Sequence, residues 1–243
     1  MKKNYFLLAT VTMLIFTACK KDKAPATPDY TCTTCKTTPD AIAANNSLGK
    51  GIYKGVIIGS TGTIMFDIAN NGTAITAVMV LDGVTINLTS SVLWVSGQAY
   101  DSPFTGTLNG QAVSITFSVG ATGATPTVTS SNIPGHASAS FTIIKETSAS
   151  LVECFEGTYS TTLPETGSFN IILSRSLAIW SGIARKTGTT TTSTSVRGTI
   201  TNNNLIDSSQ NNRIIGTLNN DALNGSFRDN NGITITLTGK RSF

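Results

Sequence analysis

Strict alternation of apolar and polar residues, interrupted at short intervals by turn residues, constrains the fold of this chain most. Val113, Ile115 and Phe117 are separated by single polar residues, which is the spacing of one face of a β-strand. Asp-Gly and Asn-Gly pairs at 82–83 and 109–110 are typical of tight hairpins. Such short connections leave no room for the crossovers that parallel strands need. The pattern predicts an all-β fold built from antiparallel meanders.

Three sequence matches in the same order indicate that the β region is a tandem duplication. The matched segments are 51–53 with 157–159, 62–68 with 167–173, and 106–117 with 216–227. In the last match Gly106 and Phe117 have the same spacing as Gly216 and Phe227. In the first match, Tyr53 corresponds to Tyr159. We expect a first β unit at residues 47–148 and a second at 149–243, each a small barrel or sandwich.

A short helix is expected before each unit. Thr38-Pro39-Asp40 supplies an N-cap residue, a proline at the first helical position and an early acidic residue. Before the second unit, the spacing of Ser150 and Glu153 matches a capping box.

The N-terminal segment has the organisation of an export signal. Lys2 and Lys3 precede an apolar run over 5–16, which is too short to span a membrane. Small residues then lead to Cys19, in the sequence Phe16-Thr17-Ala18-Cys19. This boundary resembles a bacterial lipobox, and the following Lys20-Lys21-Asp22-Lys23 resembles the tether of exported lipoproteins from Bacteroidota.

The resemblance to Bacteroidota lipoproteins implies a location and a modification. Residues 1–18 would be removed as the signal peptide, and Cys19 would be acylated as the first mature residue. Residues 19–46 would form a lipidated tether that ends in the short helix. The protein would then be an outer-membrane lipoprotein of the cell envelope, facing either the periplasm or the cell surface, with the membrane as one partner.

Charge excludes nucleic acid as a partner class. The formal net charge is +4, but much of it lies in the first 46 residues. From Ser47 onward, 11 basic residues face 10 acidic residues. A near-neutral body lacks the basic face that nucleic-acid binding needs.

Three cysteines other than Cys19 are candidates for a disulfide, because an exported protein meets an oxidising environment. Cys32 and Cys35 are close enough for a local bond, and either could instead pair with Cys154. The Cys-x-x-Cys spacing lies in a Pro- and Thr-rich segment rather than in a βαβ unit, which argues against redox catalysis. Irregular spacing to His136 argues against zinc. No metal and no cofactor are expected.

Catalytic motifs are missing from the sequence. There is no Gly-x-Ser-x-Gly, and the single histidine, His136, has no acidic neighbour in sequence, so the chain is not expected to be an enzyme. Trp94, Tyr100 and Trp180 are candidates for stacking on a ligand. Filling of the core is the competing interpretation of these aromatic residues.

Two functional hypotheses follow. The first is a non-catalytic binding or structural module for a glycan or an envelope protein. The alternative is a lipocalin-like carrier that encloses a small apolar ligand. The interior of each β unit discriminates between them, because a filled interior favours the first hypothesis and a cavity lined by Ile, Val and Phe favours the second.

Overall fold

The computed structural model describes residues 30–59, 62–190 and 193–243. The predicted signal peptide, Cys19 and the first part of the tether lie outside these described residues. Within them, no helix has the length and apolar character needed to cross a membrane.

Eight antiparallel strands form the first unit. They are β1 (Gly51–Ile58), β2 (Gly62–Ile68), β3 (Ile75–Leu81), β4 (Val84–Thr89), β5 (Tyr100–Leu108), β6 (Gln111–Val119), β7 (Thr127–Asn132) and β8 (Ser140–Lys145). Each strand from β1 to β7 pairs with the next, and β8 returns to pair with β1. The sheet curls on itself, since β7 and β8 lie near each other without being joined in its hydrogen-bonded order.

The second unit repeats this order as a closed eight-stranded barrel, called the second barrel below. Its strands are β9 (Glu153–Thr161), β10 (Thr166–Ser174), β11 (Ile179–Lys186), β12 (Thr194–Thr201), β13 (Asn204–Asp207), β14 (Arg213–Asn219), β15 (Ala222–Arg228) and β16 (Thr234–Arg241). Each strand pairs with the next, and β16 pairs with β9. The all-β prediction and the two duplicated antiparallel units are confirmed.

Turn residues set the hairpins as their chemistry predicts. Asp82 and Gly83 both have positive φ, at 48° and 78°, and so do Asn109 and Gly110, at 50° and 78°. Two successive residues at positive φ define the type I′ turn, whose twist matches that of the flanking strands. Asn, Asp and Gly adopt this region most readily, which explains why these two pairs stand at the turns.

The strand register shows that the first two residue matches between the copies cannot both hold. Tyr53 and Tyr159 both lie on the first strand of their unit. However, Tyr159 pairs with Gly167 in the second unit. In the first unit, Gly62, the residue matched to Gly167, pairs with Ile57. If Gly62 and Gly167 are equivalent, Tyr159 occupies the position of Ile57, four residues beyond Tyr53.

The third match is displaced by a whole strand. Phe117 lies on β6, the sixth strand of the first unit, and Phe227 lies on β15, the seventh strand of the second. Both matched segments are hairpins in which leucine precedes a tight turn and phenylalanine faces inward. The duplication therefore holds in the number, direction and order of the strands, but the third pair of matched residues does not share a strand.

The helix predicted before the first unit is wrong. Only a 3-10 turn forms there, over Ala43–Asn45. Side chains from the first unit satisfy the surrounding backbone instead. The carboxylate of Glu146 accepts the N–H of Asp40 at 2.7 Å, and the amide oxygen of Asn70 accepts the N–H of Ile42 at 3.2 Å. These tertiary hydrogen bonds replace those that a helix would have made.

The helix predicted before the second unit is also wrong, because both residues of the capping box have other partners. The Ser150 hydroxyl shares a hydrogen bond of 2.6 Å with that of Ser174. The Glu153 carboxylate accepts from the guanidinium of Arg175 at 2.8 Å. Both partners belong to the second barrel or its β10–β11 turn, so this segment leads directly into β9.

The two units pack against each other through β1, every residue of which is buried. Its inward side chains enter the core of the first unit, and its outward side chains face the second barrel. A small apolar cluster forms there from Val56, Val152, Cys154 and Ile172. The buried amine of Lys54 lies 2.7 Å from the buried carboxylate of Glu146. This ion pair joins β1 to the segment between the units.

Candidate functional site

The interior of the first unit is filled by aromatic side chains. Phe66 stacks on Phe117 with ring centroids 4.4 Å apart, and Phe104 meets Phe66 edge-on at 5.0 Å. The Tyr53 ring lies 5.1 Å from Phe117. All four residues are fully buried. Large aromatic side chains from β1, β2, β5 and β6 meet here and leave this core closely packed.

The second barrel is filled at one end by large residues. Phe155, Leu173, Trp180, Leu205 and Leu223 are buried there. The Trp180 indole N–H donates to the Ile206 carbonyl at 3.1 Å.

Glycine makes room for the aromatic rings of the second barrel. A Cβ at Gly157 would collide with the Phe169 ring, and a Cβ at Gly198 would collide with the backbone of Ile206 and lie against the Trp180 indole. These positions contribute no side-chain volume of their own. The interior therefore depends on a few large side chains rather than on even filling.

A cavity of about 250 Å³ lies at the other end of the second barrel. This is the end at which the hairpins β9–β10, β11–β12, β13–β14 and β15–β16 turn. The wall of the cavity is mainly apolar. Its apolar lining residues are Phe169, Ile171, Ala184, Val196, Ile215, Phe227, Ile235 and Leu237. The pocket corresponds to inward side chains that alternate along the strands, as in any small barrel.

Polar side chains form the rim of this cavity, and most of them accept hydrogen bonds. Asp207 is buried, and its carboxylate accepts from the N–H and hydroxyl of Ser209 at 2.7 and 2.6 Å. Asp229 closes its own turn by accepting the N–H of Ile233 at 2.8 Å. The buried amide oxygen of Gln210 has no hydrogen-bond partner.

Tyr159 and Glu165 complete the rim as a coupled pair. The Tyr159 hydroxyl donates to the Glu165 carboxylate at 3.2 Å, and Lys186 donates to the same carboxylate at 2.9 Å. Burial, followed by the negative charge of Glu165, raises the pKa of Tyr159 to about 12. The hydrogen bond from Lys186 lowers the pKa of Glu165. The pair is therefore a neutral phenol beside an ionised carboxylate at neutral pH.

The cavity lining provides apolar contact and hydrogen-bond acceptors. Its rim carboxylates already accept hydrogen bonds from the chain. In the described parts of the chain, no three His, Cys, Asp or Glu side chains gather as metal ligands would. The arrangement can hold a small molecule with an apolar body and a donor group at one end.

The structure buries two of the three residues predicted to stack on a ligand. Trp180 is 2% exposed in the filled end of the second barrel, and Tyr100 is 3% exposed with its hydroxyl donating to the Val92 carbonyl. Trp94 is half-buried against the core of the first unit, under the amine of Lys50. Trp180 and Tyr100 are core residues, so the stacking hypothesis is wrong for both.

The cysteines resolve into one local pair and one isolated thiol. Cys32 and Cys35 form a disulfide with their Cα atoms 5.4 Å apart. Cys154 is free and fully buried between the units, so it forms no disulfide with Cys32 or Cys35. Its Sγ lies 3.8 Å from the Gly55 carbonyl. Burial strongly raises the pKa of the Cys154 thiol, which keeps it protonated and unreactive. Cys19 lies outside the described residues.

Sequence reasoning did not find the residues that line the cavity. One signal was available: the inward positions of β11 include the small residues Gly182 and Ala184. That signal becomes readable only after the inward face of each strand is known. The cavity-lining acids look like ordinary turn residues in the sequence.

Comparisons with protein-family models, with curated proteins and with solved structures found no match for this chain.

Proposed function

We propose that this chain is a lipid-anchored protein of the bacterial cell envelope that binds a small ligand without transforming it. The cavity in the second barrel carries the proposal. It combines about 250 Å³ of mainly apolar space with acceptors at its rim, next to a first unit whose interior is packed. This contrast favours the lipocalin-like carrier over a module that uses only its outer surface.

The size of the cavity restricts the ligand. An apolar protein cavity of about 150 Å³ accommodates benzene. A volume of about 250 Å³ therefore suits one ring with a short substituent, or an aliphatic chain of similar size. The Gln210 oxygen and the Asp207 carboxylate favour an amine or hydroxyl at the outer end of the ligand, because both accept hydrogen bonds.

The alternative proposal is a glycan or an envelope protein bound on the outer surface. Stacking on Trp180 or Tyr100 gives it no support, since both rings are buried. The protein partner is favoured by one observation. Val92, Leu93 and Val95 expose 42%, 71% and 52% of their surface on the β4–β5 connection, and clustered exposed apolar side chains are typical of interaction sites.

Filling the cavity from within tests the carrier proposal. Ala184→Phe places a ring in the apolar space from β11 and is expected to abolish binding of 2-phenylethylamine, measured by titration calorimetry on the full-length protein. The fold should persist, because the ring enters existing space rather than a packed core. The matched control is Thr199→Phe, which adds the same ring to an exposed position on β12 and should leave binding intact.

Probe chemistry gives the same experiment a second arm. Phenylacetate and toluene have similar bodies but carry an acid or no polar group. We expect 2-phenylethylamine to bind more tightly than either, because only the amine can donate to the rim. Equal binding of all three probes would contradict the assigned rim role. No binding of any probe to the wild-type protein would contradict the carrier proposal.

The proposed anchor is tested by a separate substitution. Cys19→Ser is expected to move the protein from the membrane fraction to the soluble fraction, because acylation requires the thiol and the apolar run over 5–16 is too short to span a bilayer. Immunoblots of fractionated cells measure this. Cys154→Ser is the matched cysteine control and should stay with the membrane. An unmodified Cys19 in the mass spectrum of the native protein would refute the anchor.

A further inference from the structure

A groove lies between the two units, outside the second barrel, and is here called the inter-unit groove. It has a volume of about 650 Å³. The first unit contributes Gly59 and the segment 135–138, and the second barrel contributes parts of β9, β10 and β11 with residues 187–190. The groove is separate from the cavity, and its assignment below does not depend on a ligand in the barrel.

Arg185 is the central cation of the inter-unit groove. It lies on β11, paired in register with Ser168 of β10, and only 8% of its surface is exposed. Its guanidinium reaches across to the first unit, where Nη2 donates to the Ser138 carbonyl at 2.7 Å. Gly59 lets the guanidinium approach, because a Cβ at that position would collide with it.

The charge of Arg185 is not compensated within the described residues. No carboxylate of these residues lies within ion-pair distance of it, and its buried Nε–H has no hydrogen-bond partner. Burying a cation with an unsatisfied donor is costly. A buried donor of this kind in a native structure requires an explanation, and binding of an anionic ligand in the groove supplies one.

The rest of the described groove lining is rich in hydroxyl groups and holds no acidic residue. Among its described lining residues, Lys186 and His136 are basic and none is acidic. Lys186 is engaged with Glu165, and His136 Nε2 lies 3.4 Å from Asp82. Hydroxyl side chains make up much of the remaining wall. They are Ser138, Thr158, Ser168, Thr187, Thr189 and Thr190.

We infer that the inter-unit groove binds an acidic saccharide through its carboxylate or sulfate group. Arg185 offers the planar donor group that pairs with oxyanions. The hydroxyl wall suits a ligand whose own surface consists of hydroxyl groups, because each hydroxyl can both donate and accept. The site draws on both units, which gives their fixed packing a role in recognition.

Titration calorimetry of the full-length protein tests the inference with glucuronate, glucose 6-sulfate, glucose and inorganic sulfate. Both acidic sugars are expected to bind, and glucose to bind about ten- to a hundred-fold more weakly, the range of a hydrogen bond to a charged group. Raising the salt concentration should weaken the binding of the acidic sugars. If inorganic sulfate binds as tightly as glucose 6-sulfate, the saccharide part of the inference is overturned. If glucose binds as tightly as glucuronate, or if neither acidic sugar binds, the whole inference is overturned.

Two variants separate binding from folding. Arg185→Gln is expected to lose acidic-sugar binding by about ten- to a hundred-fold, whereas Arg197→Gln, an exposed arginine on β12, is the matched control and should bind normally. Ser168→Glu places a carboxylate beside Arg185 and should abolish binding without lowering the melting temperature. Unchanged binding in either groove variant, or equal loss in the Arg197 control, would overturn the inference.

Discussion

Lys54→Met is expected to lower the free energy of unfolding by about 3–5 kcal/mol, the cost of leaving one member of a buried ion pair without its partner. Lys54 and Glu146 have fully buried side chains and meet at 2.7 Å. The Glu146 carboxylate also accepts the N–H groups of Asp40 and Val152 at 2.7 and 2.9 Å. Without the lysine, these two N–H groups would be left to balance the buried negative charge of Glu146.

Urea unfolding measured by circular dichroism checks the Lys54 prediction, with the midpoint as the readout. Adding Glu146→Gln to Lys54→Met removes the stranded charge, so the double variant should be more stable than Lys54→Met alone. Lys186→Met is the matched control. It breaks an ion pair of similar length, 2.9 Å, whose lysine side chain is 53% exposed, and should cost at most about 1 kcal/mol. Equal midpoints for Lys54→Met and this control would show that burial does not determine how much stability the Lys54–Glu146 ion pair contributes.

The strands and tight turns were predictable because their signals are local. The alternation of Val113, Ile115 and Phe117 determines which face of β6 is buried, and Asn109-Gly110 fits the positive φ values that its turn requires. Both signals involve residues within one hairpin. The same holds for the strand order, since short connections join consecutive strands.

The helices failed as predictions because their signals compete with partners distant in sequence. Ser150 and Glu153 have the spacing of a capping box, but Ser174 and Arg175 take up their side chains. The energy of one cap, about 1 kcal/mol, is smaller than that of burying the surrounding segment between the two units. In such a case, tertiary packing overrides the local helix propensity.

The candidate sites could not be read from the sequence for a related reason. Arg185 stands between Ala184 and Lys186, and nothing in that context shows that it is buried against the first unit. The packing of the two units against each other determines that burial. The run Val56-Ile57-Ile58 did contain a usable signal, because consecutive apolar residues in a strand indicate burial on both faces. It predicts a covered outer face on β1 but not what covers it.

Trp180→Ala is expected to destabilise the protein by about 3–5 kcal/mol, the usual cost of removing a large aromatic side chain from a core. The indole is 2% exposed, packs beside Gly198 and donates to the Ile206 carbonyl at 3.1 Å. Trp180→Phe keeps an aromatic ring but leaves that carbonyl without its donor, so it should cost about 1–3 kcal/mol. Both losses would appear as lower urea midpoints.

Trp94→Ala is the comparison variant for Trp180→Ala, because it removes an indole that is less buried. Trp94 is only half-buried, so its removal should cost less stability than that of Trp180, since less of its surface leaves water on folding. Ligand binding, measured with 2-phenylethylamine and glucuronate under conditions where each variant is folded, should survive Trp180→Phe. A Trp180→Ala variant with wild-type stability and lost binding would reverse the assignment and make Trp180 a ligand contact. The geometry argues against that outcome, because the indole lies at the filled end of the barrel, among Phe155, Leu173 and Leu205, and does not line the cavity.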